Sequence, residues 1–171
     1  MYFYGFDGSD EKKEYEKITI TDIAKRAGVS RMAYYRIYQS KDDIIETRLT
    51  EVFENMHRQV IEQKLTTDAE FFTCFFITTK ENALLFQNCL KANVLEFFLG
   101  KIRSHTSILF CSYFQPAKLD PMLEYKMCFF AGGFLHIVRR WVEAGMKESI
   151  ETMVRFSCGI VERLRQARSL S

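Results

Sequence analysis

The segment TITDIAKRAGVSRMAYYRIYQSKDD, residues 19–43, decides how the N-terminal part of the chain folds. Three of its hydroxyl residues, Thr19, Ser30 and Ser40, stand where each can cap the first turn of a helix. An aspartate follows Thr19 and Ser40 three positions later, which is the spacing of a capping box. Gly28 ends the first helix, because glycine adopts the left-handed conformation that closes many helices. The segment therefore predicts a helix-turn-helix followed by a third helix.

Apolar residues recur at helical spacing in this segment and beyond it. On the first helix they form one face, made of Ile20, Ile23, Ala24 and Ala27. On the second, the residues expected to face inward are Ala33 or Tyr34, Ile37 and Tyr38, and those expected to face outward are Arg31, Met32, Tyr35 and Arg36. The third helix is predicted to extend to about Lys64, with an apolar stripe of Ile44, Ile45, Leu49, Val52, Phe53, Met56 and Val60.

Positive charge is concentrated in the same part of the chain. The net charge of the whole protein is only +2, whereas residues 17–41 contain six basic residues and one acidic residue. A helix-turn-helix places its second helix in the major groove of DNA, with the start of that helix near the base edges. Charge and motif together predict that double-stranded DNA is a partner.

The residue types on the second helix suit different parts of a DNA duplex. Arg31 can donate two hydrogen bonds to a guanine, and Met32 and Ala33 can contact the methyl groups of thymine. Tyr35 and Lys41 suit phosphate, the first as a hydroxyl donor and the second as a point charge at a helix start.

After the third helix the sequence continues as helices, with no alternating pattern of the kind that strands show. The predicted helices lie at about residues 68–79, 82–92, 94–113, 120–144 and 148–168. The fold class is therefore predicted to be all-α. We expect a helix-turn-helix domain over residues 1–45 and a helical effector-binding and dimerisation domain over residues 46–171.

The last two predicted helices favour a homodimer. The helix at about 120–144 is apolar nearly all round, and its Ala131-Gly132-Gly133 step would let another backbone approach closely. The helix at about 148–168 carries one clean apolar stripe. Pairing these two helices with their copies would cover the apolar surfaces, so a second copy of the chain is a predicted partner.

Several other functions are disfavoured by the sequence. Its five cysteines are widely spaced with no CxxC pair, which favours buried free thiols over a redox sensor. The histidines are not spaced with other ligands for a metal, no cofactor motif occurs, and no catalytic arrangement indicates an enzyme. The chain shows no signal peptide and no apolar run long enough to cross a membrane, so we expect a cytoplasmic protein without a membrane partner.

The helix-turn-helix segment resembles the DNA-binding signature of TetR-type (TetR/AcrR) regulators. The matching residues are Thr19, Asp22-Ile23-Ala24, Ala27-Gly28-Val29-Ser30, Tyr35, Tyr38 and Ser40-Lys41-Asp42-Asp43. Residues 129–153, FFAGGFLHIVRRWVEAGMKESIETM, also resemble the last two helices of many such proteins. The family usually has a glycine-aromatic pair and a full helix before the threonine; Glu14-Tyr15 stands there instead, which predicts a short or missing first helix.

The resemblance implies a repressor that binds a palindromic operator as a homodimer. It implies phosphate contacts from Thr21, Tyr35 and Lys41, a groove-facing Arg36, and a packing function for Tyr34, where the family usually has leucine. The complete set of predicted DNA-binding residues is Thr19, Thr21, Ser30, Arg31, Met32, Ala33, Tyr35, Arg36 and Lys41.

The resemblance also implies a small apolar effector bound by the C-terminal helices. Sixteen phenylalanines, most of them after residue 50, suggest an aromatic interior there. The predicted ligand-binding residues are Phe72, Phe75, Phe76, Phe86, Cys89, Phe97, Phe110, Phe134 and His136. Phe71, Leu85 and Phe98 are further candidates for the lining, and an interior position without a ligand is the alternative for His136. The alternative function is a regulator whose C-terminal domain is a protein-interaction module without an effector.

Overall fold

The computed structural model describes residues 17–91 and 122–166, together with residues 94, 97 and 100. The helices with defined bounds are α1 Ile20–Arg26, α2 Arg31–Tyr35, α3 Lys41–Glu62, α4 Asp68–Glu81, α5 Ala83–Lys91, α6 Leu123–Glu143 and α7 Ile150–Gln166. The described residues contain no strand, which confirms the all-α prediction. The predicted helix at 94–113 lies almost entirely outside the described residues. So do most of the residues before Thr19, for which a short or missing first helix is predicted.

The three predicted helix starts are confirmed by their side-chain hydrogen bonds. Ser30 Oγ accepts from the Ala33 backbone N–H over 3.1 Å, which caps α2. Thr19 with Asp22, and Ser40 with Asp43, form complete capping boxes at α1 and α3. The same reciprocal bonding holds the start of α4, where Thr67 and Glu70 form a further capping box.

Gly28 closes α1 as predicted. Its φ of 67° lies in the left-handed region, and the Val29 backbone N–H donates to the Ala24 carbonyl over 2.9 Å. Both features belong to the usual glycine-closed helix end. The chain thereby turns sharply from α1 into α2.

Helix α3 connects two hydrophobic cores. Ile44 packs with Ile23 of α1 and Tyr34 of α2 in a small core beneath the helix-turn-helix. The next residue, Ile45, belongs to the large C-terminal core, in which α4 packs against α3 and α7, and α5 against α3 and α6. One continuous helix therefore carries the N-terminal unit on the C-terminal bundle.

Aromatic rings fill the centre of the large core. Phe75 of α4 lies 4.9 Å from Phe134 of α6, and Phe76 lies 5.2 Å from Trp141, both measured between ring centroids. The indole N–H of Trp141 donates to the Glu148 carbonyl over 3.1 Å, which ties α6 to the loop before α7. Trp141 itself is buried in the core.

Two expected inward positions are wrong. Ile37 is 56% exposed, because α2 ends at Tyr35 and the following turn no longer keeps helical side-chain directions. His136 is exposed in the chain, because the buried side of α6 is formed by Ala131, Phe134, Leu135 and Val138, and position 136 lies on the other side. Within the described ranges, no helix is both long enough and apolar enough to span a bilayer.

Candidate nucleic-acid interface

The outer face of α2 presents the side chains that the sequence predicted for base contact. Arg31 and Arg36 are exposed, and Met32 has 79% of its surface exposed. Ala33 is half-buried, and its backbone N–H donates to the Ser30 cap. Arg31 and Met32 occupy the first two positions of the helix, the part that enters a groove in a helix-turn-helix.

The inner face of α2 is anchored by Tyr34, which is only 4% exposed. Its hydroxyl donates to the Ser40 carbonyl over 2.5 Å, which joins the end of α2 to the start of α3. Burial, and then the nearby Asp43 carboxylate, raise the pKa of Tyr34 to about 12. The structure therefore places Tyr34 in packing, and the neutral phenol is the form that holds α2.

Tyr35 lies on the exposed side, next to this anchor. Its ring meets the Tyr34 ring edge to face, with the centroids 5.5 Å apart. Such pairs contribute about 0.5–1.5 kcal/mol beyond the burial of their area. Half of the Tyr35 surface remains exposed, which leaves the side chain accessible to a phosphate.

Thr19 and Ser30 act as caps in the structure. Thr19 Oγ1 donates to Asp22 Oδ2 over 2.7 Å and accepts from the Asp22 backbone N–H over 3.2 Å. Its single hydroxyl proton is therefore directed at a carboxylate and not at the surface. Thr21, the second residue of α1, is exposed.

Lys41 opens α3 close to the first helix. Its ammonium nitrogen lies 3.4 Å from the Ile18 carbonyl oxygen, and its side chain is half-buried. Two acidic residues, Asp42 and Asp43, follow it in the first turn. Hydrogen bonds from the Ser40 side chain and the Gln39 backbone lower the pKa of Asp43, so its carboxylate remains ionised and caps the helix.

Most of the predicted effector-binding residues are packed against one another. Phe72, Phe75, Phe76, Phe86, Cys89 and Phe134 are buried in the large core, Phe97 is half-buried against it, and Phe110 lies outside the described residues. Burial raises the pKa of the Cys89 thiol to about 12, which keeps it protonated. In the described chain no group of three or more His, Cys, Asp or Glu residues could hold a metal ion.

A partly open recess lies between α4, α6 and α7. Its volume is about 190 Å³, and its lining consists of Phe72, Phe129, Phe130, Gly133, Phe134, Ile137, Ser157 and Ile160. Of the predicted ligand-binding residues, only Phe72 and Phe134 are among these. The spacing of 130, 133, 134 and 137 along one side of α6 was a signal available in the sequence, but nothing in the sequence showed which helix faced it.

Comparisons with known proteins agree with this architecture. The family model "Bacterial regulatory proteins, tetR family" matches residues 11–47, and the model "Transcriptional regulator C-terminal region" of the TetR type matches residues 67–163. No curated protein sequence gives a significant match.

A solved structure, the "Dihydroxyacetone kinase operon activator DhaS", is similar to this chain with a TM-score of 0.61 and 17% sequence identity. The similarity covers 94% of this chain and 91% of that one, and at this identity it supports the fold alone. The two family matches together contain the helix-turn-helix and more than half of the chain. The chain belongs to the TetR family of DNA-binding transcriptional regulators.

Proposed function

We propose that this TetR-family regulator is a repressor, that it binds a palindromic operator as a homodimer, and that a small apolar effector releases it. The observation that carries the DNA-binding part is the two-sided arrangement of α2. Tyr34 fixes the inner side to α3 through its 2.5 Å hydrogen bond, while Arg31 and Met32 stand exposed at the helix start. A short helix held in this way can present side chains to a groove without first becoming ordered.

The proposed contacts divide into base readers and phosphate binders. Arg31, Met32, Ala33 and Arg36 read the groove, with Arg31 paired to guanine. The phosphate contacts come from Thr21, Tyr35 and Lys41 and set the position of α2 on the duplex. Thr19 and Ser30 contribute by holding the helix starts, whose backbone N–H groups lie close to the DNA backbone.

The dimer is proposed to form through α6 and α7 and their copies. Large apolar side chains are exposed on these helices: Met122, Tyr125, Phe129 and Phe156. A Cβ atom added at Gly132, Gly133 or Gly159 would meet no atom within 4 Å, so the backbone at these positions is open to a close neighbour. An exposed apolar patch of this kind on a soluble protein is typical of an interaction site.

The release step requires that the effector prefer one arrangement of the dimer. A ligand shifts an equilibrium only by the difference between its affinities for the two states. The recess beside α6 and α7 supports an effector, because its lining belongs to the helices that are proposed to set the distance between the two copies.

A second candidate function is favoured by one observation. The aromatic core is closely packed, and the exposed apolar residues of α6 and α7 could instead receive a different protein. In that case the C-terminal domain would be a protein-interaction module without an effector. A purified protein that remains monomeric and binds operator regardless of small molecules would support this candidate.

Selection of bound duplexes from random DNA tests the main proposal. We expect an enriched half-site, repeated in inverted orientation with centres about one or more helical turns apart. Light scattering on the eluted complex should give two chains per duplex. Enrichment of a single half-site with one chain bound would contradict the dimer, and no enrichment would contradict operator binding.

A further inference from the structure

The recess between α4, α6 and α7 has the size of a site for one small molecule. Its volume is about 190 Å³, somewhat larger than the cavities of about 150 Å³ that admit benzene into a protein interior. A single substituted aromatic ring would therefore fill most of it. Part of a larger ligand would have to protrude through the open side of the recess.

The walls of the recess are rich in aromatic side chains. The rings of Phe130 and Phe134 are nearly parallel, with 4° between their planes and 5.9 Å between their centroids. Phe72 of α4 continues this wall at 5.4 Å from Phe134. The described lining residues include no charged side chain. These walls favour a neutral ring over an ion, because an ion would lose its hydration without a counter-charge.

One polar residue borders this apolar site, with its hydroxyl oxygen buried behind the wall. Ser157 of α7 is 2% exposed, and its Oγ has no hydrogen-bond partner among the described residues. Buried hydroxyl groups are normally satisfied. Thr79, which is equally buried on α4, shows the usual solution, since its hydroxyl donates to the Phe75 carbonyl over 2.9 Å. Rotation of the Ser157 side chain about its Cα–Cβ bond would bring this unused donor and acceptor to the recess that it borders.

We propose that the recess binds one neutral aromatic molecule of the phenol class, with its hydroxyl group hydrogen-bonded to Ser157 Oγ and its ring against Phe130 and Phe134. The identification of this molecule as the effector rests on the proposed function. Phe129 belongs both to the lining and to the exposed patch, with 72% of its surface exposed. A ligand bound in the recess therefore lies next to the proposed dimer contact.

Calorimetric titration of the full chain with phenol and with toluene tests the site. The two probes have the same shape, but toluene carries a methyl group in place of the hydroxyl. Ser157→Ala should weaken phenol binding by roughly five- to tenfold, the effect of one hydrogen bond, and leave toluene binding unchanged. Equal changes for both probes, or none for either, would overturn the assignment of Ser157.

A pair of isoleucine variants tests the location. Ile137 lines the recess, whereas Ile61 is an exposed residue of α3 outside it. Ile137→Trp should fill the recess and abolish binding of both probes, whereas Ile61→Trp should retain it. Circular dichroism and light scattering confirm that each variant is folded and has the same mass. Phenol binding that survives Ile137→Trp would place the ligand elsewhere.

Operator release separates this inference from the proposed function. Fluorescence anisotropy of labelled operator DNA is followed as phenol is added to the wild type and to Ser157→Ala. Phenol that binds at Ser157 without releasing DNA supports the site and contradicts its effector function. DNA binding with no uptake of phenol or toluene at millimolar concentration overturns the site and leaves operator binding intact.

Discussion

The Tyr34 hydroxyl donates to the Ser40 carbonyl over 2.5 Å, and this one bond joins the end of α2 to the cap of α3. Tyr34→Phe removes the bond and keeps the ring. We expect the free energy of unfolding to fall by about 1 kcal/mol, the usual loss for one buried hydrogen bond, as measured by urea denaturation. Tyr35→Phe is the matched control, because its hydroxyl is on the exposed side; an equal loss in both variants would contradict the anchor.

The same hydroxyl makes stability depend on alkaline pH. The pKa of Tyr34 is raised from 10.0 to about 12, so the folded protein holds the proton more tightly than the unfolded chain. The stabilisation is complete below pH 10.0 and is lost as the pH rises towards about 12. Unfolding free energies measured across this range should fall less steeply for Tyr34→Phe than for the wild type. Parallel curves would show that other groups cause the decline.

Arg31 and Tyr35 should differ in the kind of DNA binding they support. Arg31→Ala is expected to cost about 1–3 kcal/mol on the preferred sequence and to relax the preference at one position per half-site. Tyr35→Ala should weaken binding to all sequences alike, because it is proposed to contact phosphate. Selection from random DNA with each variant measures both effects. Tyr35→Phe separates the hydroxyl from the ring, and a changed consensus in either tyrosine variant would contradict the phosphate contact.

The unsatisfied Ser157 hydroxyl should lower the free energy of unfolding of the ligand-free protein. An unsatisfied buried hydroxyl costs about 1–3 kcal/mol, and Ser157→Ala removes that cost at the expense of one small contact. We expect thermal or urea unfolding to show a gain of about 0.5–1 kcal/mol. Thr79→Ala, at an equally buried but hydrogen-bonded hydroxyl, should instead lose about 1–2 kcal/mol. Loss of stability in both variants would mean that Ser157 is satisfied in solution.

The exposed patch on α6 and α7 should be sensitive to charge. Tyr125→Glu combined with Phe156→Glu places two carboxylates on the proposed contact, and desolvating them opposes association. Light scattering should show a shift from dimer to monomer at micromolar concentration. Ile61→Glu, an exposed apolar residue on α3, is the control and should leave the dimer intact. A dimer that persists in the double variant would place the interface elsewhere.

The helix-turn-helix could be predicted closely because its determinants are local. Thr19, Ser30 and Ser40 each bond within their own first turn, and Gly28 closes α1 through its own φ. Such interactions depend on residues three or four positions apart, so the sequence alone contains them. Ile37 was misplaced because α2 stops at Tyr35, two residues before the periodicity would require.

The C-terminal site could not be predicted in the same way. Phe75 and Phe76 were expected to line a ligand cavity. Instead they pack against Phe134 and Trp141 of α6, a helix that is distant in sequence. Whether an aromatic side chain meets another ring or an open space depends on how helices are arranged, which the spacing within one helix does not show. Ser157 lies on the apolar stripe predicted for the last helix, but the spacing along that helix does not show that a recess lies beside it.

The chain contains one tryptophan, Trp141, whose ring lies 5.2 Å from Phe76 and whose N–H is bonded to Glu148. Its fluorescence is therefore an intrinsic optical reporter of the C-terminal bundle, in contrast to the tyrosine-rich N-terminal unit. A substitution in α2 that weakens DNA binding but leaves the emission spectrum unchanged has left the bundle undisturbed. Excitation of this one chromophore distinguishes a local defect from global unfolding without any added label.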